Sequence, residues 1–450
     1  MKQKLSRREF LELAAMAGVS VGLSACAPKI AATATEAAAA GAAPAASGSA
    51  LELVFMHYTQ KDSSEAPFFY PALDDFAAAN PNVKVSQDLM SHDEFLTKFK
   101  TLAAANELTD VFEINGDQIT ALGTGGLLSD LSADLAADPA WRDLQAPGMM
   151  WEWTRGDKVY AMPRAKMVTH LIYYNSAIAK EIGFDKFPET WEGFMDMIAK
   201  AKAAGYVPIN VGNKGKWPTF DCMFGCLAIR MAGMDWYTKL LAHEEKFTNP
   251  DFVKALSIFQ EMVNLGAFNE DANSLDMDQA MSYYYNKKSL MFIQGSWATS
   301  WVDDKAPADV RDATKIAVYP TITGGKGKAN ESTSGSGWGW AISSKLEGDE
   351  RKAAVALLKS LSNEVTGRRA IESGQLPAQI IKEYDDSKMG PTSKAMMAYT
   401  ATLGSVPIIN MPLPPSVIDI YANGLADMIA KQGDPTKIAE ACQKEYENYK

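Results

Sequence analysis

The chain has 450 residues, of which 47% are hydrophobic and 22% charged, an ordinary soluble composition and enough length for two lobes with separate cores. A formal net charge of −11 argues against a nucleic-acid partner. His57, His92, His170 and His243 are too scattered for a zinc-type spacing, so neither a metal nor another cofactor is expected.

Lys2, Lys4, Arg7 and Arg8 precede a short apolar run over residues 13–23, the layout of an export signal occupying residues 1–25. Ser6-Arg7-Arg8-Glu9-Phe10-Leu11 resembles a twin-arginine signal, with a plain Sec signal as the alternative. Leu23-Ser24-Ala25-Cys26 resembles a bacterial lipobox, after which Cys26 would be acylated and head the mature chain. Residues 27–50 are almost all Ala, Thr, Gly, Ser and Pro, with nothing to bury against the entropy of ordering, and read as a tether. Cys222 and Cys226 lie four apart in a segment expected to be helical, which is poor disulfide geometry. With Cys442 they are expected as buried free thiols.

Leu51-Glu52-Leu53-Val54-Phe55-Met56 reads as a first strand, with His57, Tyr58, Thr59 and Gln60 at its C-terminal end, where ligand-binding loops of open α/β sheets lie. A helix is expected over 71–79, a strand at 83–85 and a helix from an N-cap at Ser91 through Ala105. Asp110-Val111-Phe112-Glu113-Ile114 is the next strand, and Asn115, Gly116 and Asp117 follow it. Asp117 there can accept ligand hydroxyls, cap a helix, or do both. The alternation of strand and helix argues an α/β fold with a parallel, doubly wound sheet.

Residues 158–163 and 171–175 read as strands, and Thr190 caps a helix carrying Phe194, Met197, Ile198 and Ala201 at helical spacing. The loop Gly212-Asn213-Lys214-Gly215-Lys216-Trp217 is polar and glycine-rich, and it exposes an aromatic; Asp221 just beyond joins the candidate site. Leu290-Met291-Phe292-Ile293 is a continuous apolar run, as a strand buried on both faces would be. Gln294-Gly295-Ser296 breaks it, and Trp297 stands just past the break, where its flat face suits a sugar ring or, equally, a core. A strand at 316–320 leads through a Gly, Lys and Ser loop to Gly335-Ser336-Gly337-Trp338-Gly339-Trp340. That segment suits a crossing which both flexes and lines a cleft, with one of the two tryptophans in the core. Helices follow at 350–362, 364–372, 416–430 and 435–449.

In order and spacing these stretches resemble the carbohydrate-binding family of ABC-importer extracellular solute-binding proteins that includes maltose-binding protein. The resemblance is carried by the lipobox and tether and by residues 110–130, 160–163, 171–175, 188–191, 291–297, 337–342 and 357–377. It implies a two-lobed clamshell, a monomer, a sugar or short oligosaccharide as ligand, and an ABC permease as partner. It also implies a protein that acts outside the cytoplasm, held to the membrane through Cys26. Lobe 1 would comprise 51–167 with 339–388, and lobe 2 would comprise 168–334 with 389–450. The ligand residues it implies are His57, Tyr58, Gln60, Asp117, Trp217 and Trp297, and Asn115, Arg164, Asp221, Gly337 and Trp338 join them as candidates. His57-Tyr58-Thr59-Gln60 lacks the acidic residue of the maltose-binding pattern.

A glycoside hydrolase would need two carboxylates across one bond, and no such pair is deducible; G-x-S-x-G, P-loop and H-E-x-x-H patterns do not occur. A polyamine or peptide on the same fold is the alternative ligand. Arg155 and Arg164 also leave an acidic sugar or sugar phosphate open.

Overall fold

The computed structural model describes residues 51–449; the expected signal, Cys26 and the tether lie outside the described residues. In chain order the strands are β1 (Leu51–His57), β2 (Val83–Leu89), β3 (Val111–Asn115), β4 (Thr154–Arg155), β5 (Lys158–Val159), β6 (Met162–Pro163) and β7 (Met167–Val168). They continue with β8 (Leu171–Asn175), β9 (Val207–Ile209), β10 (Ser289–Gln294), β11 (Thr314–Ala317), β12 (Glu331–Gly335), β13 (Trp338–Ile342) and β14 (Gly404–Val406).

The first sheet has the order β2-β1-β3-β13-β6. Its β1, β2 and β3 are parallel, as the alternating pattern predicts, whereas β13 enters antiparallel to both β3 and β6. The sheet is therefore mixed: β13 arrives after a long excursion through the second sheet and returns in the opposite sense. Leu53, Phe55, Phe69, Phe76, Trp340 and Leu357 fill the core between this sheet and the helices Ala66–Ala79 and Gly348–Leu361. The first of these helices starts before Pro71 and carries it inside. Pro67 opens the helix, and burial of Phe68, Phe69, Ala72, Leu73 and Phe76 outweighs the one N–H that Pro71 withholds.

The second sheet, β11-β8-β10-β9, sets β10 antiparallel to β8 and parallel to β9. All six residues of β10 are buried, which explains its unbroken apolar run. Local signals set several helix starts. Ser91 and Asp276 form capping boxes with Glu94 and Gln279, and Thr190 accepts the Gly193 N–H.

Residues 158–163 do not form one strand. Val159 turns back in a hairpin with Thr154 around Gly156 (φ +61°), and only Met162 and Pro163 reach the first sheet. A third, small sheet, β14-β12-β7, lies where the chain passes between the two larger ones; Val168 pairs with Ser334 and Met167 with Gly335.

Candidate functional site

The C-terminal ends of β1 and β3 and the loops around β10 face each other across a cleft of about 640 Å³. Tyr58 and Gln60 follow β1, Asn115 ends β3 and Asp117 lies just beyond it, and Trp217, Asp221 and Trp297 lie on the opposite wall. Arg164, Gly337 and Trp338, from the segments that pass between the sheets, line its base. The walls also meet directly. Lys100 is 3.5 Å from Asp419, and Lys305 is 3.7 Å from Asp62.

An aromatic belt runs across the cleft. Trp338 meets Tyr58 at 4.8 Å between ring centroids, Tyr58 meets His92 at 4.8 Å, His92 meets Trp217 at 5.7 Å, and Trp217 meets Trp297 at 6.3 Å. The first three contacts are edge-on, the geometry the ring quadrupole favours. Gly295 makes room for this belt, because a Cβ there would fall 2.1 Å from the Trp297 ring. His92 was not among the expected site residues; its signal was its place just after the Ser91 cap, facing the loop beyond β1. Trp340 is fully buried and is the tryptophan of the pair that serves the core.

Arg164 is 3% exposed and lies between two carboxylates, its Nη1 3.2 Å from Glu113 Oε1 and its Nη2 3.2 Å from Glu65 Oε1. Glu113 also accepts the Tyr58 backbone N–H (3.1 Å) and the Thr59 hydroxyl (3.0 Å). The guanidinium carbon stands 5.2 Å from the Tyr58 ring centroid and 5.9 Å from that of Trp338. Arg164 thus holds the aromatic wall from behind with its own charge already answered.

Two carboxyls in the cleft are half-buried. Asp117 lies in the turn Gly116–Gln118, where its N–H donates to Asn115 Oδ1 (3.3 Å) and its Oδ1 accepts from Gln118 (2.8 Å). Burial still pushes its pKa up to about 6. Asp221 sits in a π-helical turn, Phe220–Phe224, a distortion frequent at functional sites. Burial, then the negative charges of Asp117 and Glu152, push Asp221 up to about 7, and its Oδ1 has no hydrogen-bond partner.

One expected site residue does not reach the cleft. His57 is fully buried on the other face of β1, 4.8 Å from the Phe69 ring and 5.1 Å from Phe55, with Nε2 3.1 Å from Gln87 Oε1. Alternation along the strand turns His57 into the core and leaves Tyr58 to the cleft. Gln60 spends its amide on the Met90 carbonyl (2.7 Å), which fixes the loop. Cys222, Cys226 and Cys442 are buried free thiols. Among the described residues no His, Cys, Asp and Glu group has the arrangement of a metal site, and no helix is long and apolar enough to cross a membrane.

Comparison with known proteins places this architecture. A family model described as bacterial extracellular solute-binding protein matches residues 61–365, and the chain belongs to that family. An uncharacterised ABC transporter extracellular-binding protein of Pyrococcus horikoshii is 28% identical over 32% of this chain and 33% of its own. A multiple sugar-binding protein of Streptococcus mutans is 26% identical over 35% of this chain and 38% of its own. The chain thus matches little more than a third of the length of these curated relatives.

Solved structures align far more completely. One, from work on xylan utilization by the thermophilic bacterium Caldanaerobius polysaccharolyticus, has a TM-score of 0.78 at 26% identity, covering 88% of this chain and 100% of the other. A chitin oligosaccharide binding protein has a TM-score of 0.80 at 22% identity, covering 89% and 99%. The fold is the two-lobed α/β clamshell of solute-binding proteins, which bind their ligand without turning it over and act outside the cytoplasm.

Proposed function

We propose that this protein captures an uncharged sugar or short oligosaccharide outside the cell and delivers it to the permease of an ABC importer. The observation that carries this reading is the aromatic belt from Trp338 to Trp297 around a cleft that also holds Asp117, Asn115 and Asp221. Flat rings cover the C–H faces of a pyranose, and carboxylates and amides accept its hydroxyls. A wrong epimer would leave one such group unpaired at a cost of about 1–3 kcal/mol. The sugar-binding relative in Streptococcus mutans and the structure from work on xylan utilization support the ligand class.

The lobes in this reading are 51–167 with 339–388 and 168–334 with 389–450. The first sheet draws its strands from the first set apart from Trp338 at the boundary, and the second sheet draws only on the second set. Asp303 supports the last boundary by accepting the N–H groups of Thr392 and Ser393 at the start of the helix Pro391–Thr400. A ligand touching both lobes binds the closed form best and shifts the population toward it. Acylation at Cys26 would hold a monomer at the membrane through the 27–50 tether, and the ligand residues would be the cleft-lining ones, without His57.

Arg164, already paired with Glu65 and Glu113, has no charge left for an acidic sugar, and Arg155 is directed at Thr120 and backbone carbonyls. The convergence of Asp117 and Asp221 favours one second reading, an amine-bearing ligand such as a polyamine. Tryptophan fluorescence titrated with neutral mono- and oligosaccharides, uronates and spermidine separates these. Saturation by a neutral sugar, with raised thermal stability, is expected. Saturation by spermidine alone would replace the sugar reading.

A further inference from the structure

Residues 335–338 carry the chain from β12 to β13, out of the small central sheet and into the first large one. Behind them lies Glu152, in the 3₁₀ turn Trp151–Trp153, only 1% exposed and outside the cleft lining. Its Oε1 accepts the Ser336 N–H (3.1 Å) and its Oε2 the Gly337 N–H (2.6 Å). Gly337 has φ +65°, and its carbonyl accepts the N–H of Gly116, the residue between Asn115 and Asp117. A glycine gives the carboxylate its space: a Cβ at position 335 would fall 1.9 Å from Oε1. Ser336 Oγ in turn donates to the Trp338 carbonyl (2.9 Å). One carboxylate therefore ties together the crossing segment, the Asp117 turn and the Trp338 wall.

We propose that Glu152 is a positioning residue: its carboxylate fixes segment 335–338 so that Gly337 and Trp338 are presented to the ligand, and neutralising it loosens that segment. This rests on the lobe division given above, in which 335–338 is a crossing.

The chemistry follows from the donor count. Each carboxylate oxygen accepts one N–H, and an added proton removes the negative charge that strengthens both bonds. Burial pushes the Glu152 pKa up to about 7 while the two hydrogen bonds hold it down, so a segment that lifts off a still-buried Glu152 leaves a carboxyl that protonates more readily, and acid favours the lifted segment in the neutral range. The charged and titratable groups facing it are Arg155 from β4, Asp221 and Tyr237 from the opposite lobe, and Asp117 beside Asp221. Asp221 and Asp117 titrate over the same range, so the measurement must read the segment itself rather than ligand affinity.

Amide hydrogen exchange of peptides containing Ser336 and Gly337 does this on the ligand-free protein. At pH 8 the Glu152→Gln variant is expected to lose about tenfold protection there, corresponding to one lost charge-assisted hydrogen bond, while β3 is unchanged. The wild-type protein, corrected for intrinsic exchange, is expected to lose protection at the same two amides between pH 8 and pH 6. That comparison decides the matter if the variant does not fold. Unchanged protection at these amides in both comparisons would overturn the proposal. A silent sugar panel would instead count against the ligand reading and leave this result standing.

Discussion

Arg164 Nη1 and Glu113 Oε1 lie 3.2 Å apart, the arginine side chain 2% exposed and the glutamate not at all. Both charges were taken out of water, and each answers the other, with Glu65 adding to Arg164 and the Tyr58 N–H and Thr59 hydroxyl adding to Glu113. Arg164→Met is therefore expected to lower stability by about 3–5 kcal/mol, the cost of breaking a buried pair by removing one partner. Pairing it with Glu113→Gln should recover part of that loss. Chemical unfolding of the two variants checks it; an Arg164→Met protein as stable as wild type would mean the ion pair is not formed.

Trp297 is half-buried, packed on two hydrophobic clusters, one beside each large sheet, and lines the cleft. Trp297→Ala should weaken binding of the best sugar in the panel about tenfold, or about 1.4 kcal/mol, in line with a lost stacking face. Isothermal titration measures this, and an affinity equal to wild type would assign Trp297 to packing alone.

His57 separates packing from binding. Its ring touches Phe55 and Phe69 rather than the cleft, so His57→Gln should leave sugar affinity within about twofold while lowering stability by roughly 1–3 kcal/mol. A large affinity loss with unchanged stability would return His57 to the site.

Buried ionisable groups set opposing pH trends. Asp117 (about 6), Glu152 (about 7) and Asp221 (about 7) hold their protons more tightly folded than unfolded. Their stabilising contribution is full below the unfolded carboxylate range and is lost as pH rises through 6 to 7. Burial lowers the pKa of His57 and His170, whose contribution is present above the ordinary histidine value and lost as pH falls below it. Thermal stability should thus rise as pH is brought from 8 to about 6.5, and rise less steeply below that, where protons taken up by the two unfolded histidines oppose those held by the three carboxyls. A melting temperature climbing steadily from pH 6.5 to 8 would contradict this assignment.

Burial also pushes the thiols up, Cys442 to about 12 and Cys222 and Cys226 above their ordinary value. In a chain beginning at Leu51, a thiol-specific dye should read none of Cys222, Cys226 and Cys442 in the native state and all of them in denaturant. Native labelling at any of the three would show that the cores open more readily than their packing implies.

The sequence by itself determined what depends on near neighbours. The caps at Ser91, Thr190 and Asp276, the buried strand 290–293 and the break that puts Trp297 at a cleft mouth are local choices of backbone and side chain. The order of those stretches also carried the family resemblance, and ten of the eleven expected site residues line the cleft, all but His57. Tertiary structure alone decided the rest. The face of β1 that takes His57 depends on the helix laid over it, and β13 is antiparallel because of where the chain has been before it returns. Arg164 finds Glu113 at a separation of 51 residues and Glu65 at 99, and Glu152 reaches Ser336 and Gly337 at 184 and 185. No periodicity spans such distances: a lone charged residue in the sequence looks the same whether water or a distant partner will answer it, and only the packed chain brings that partner within hydrogen-bond range.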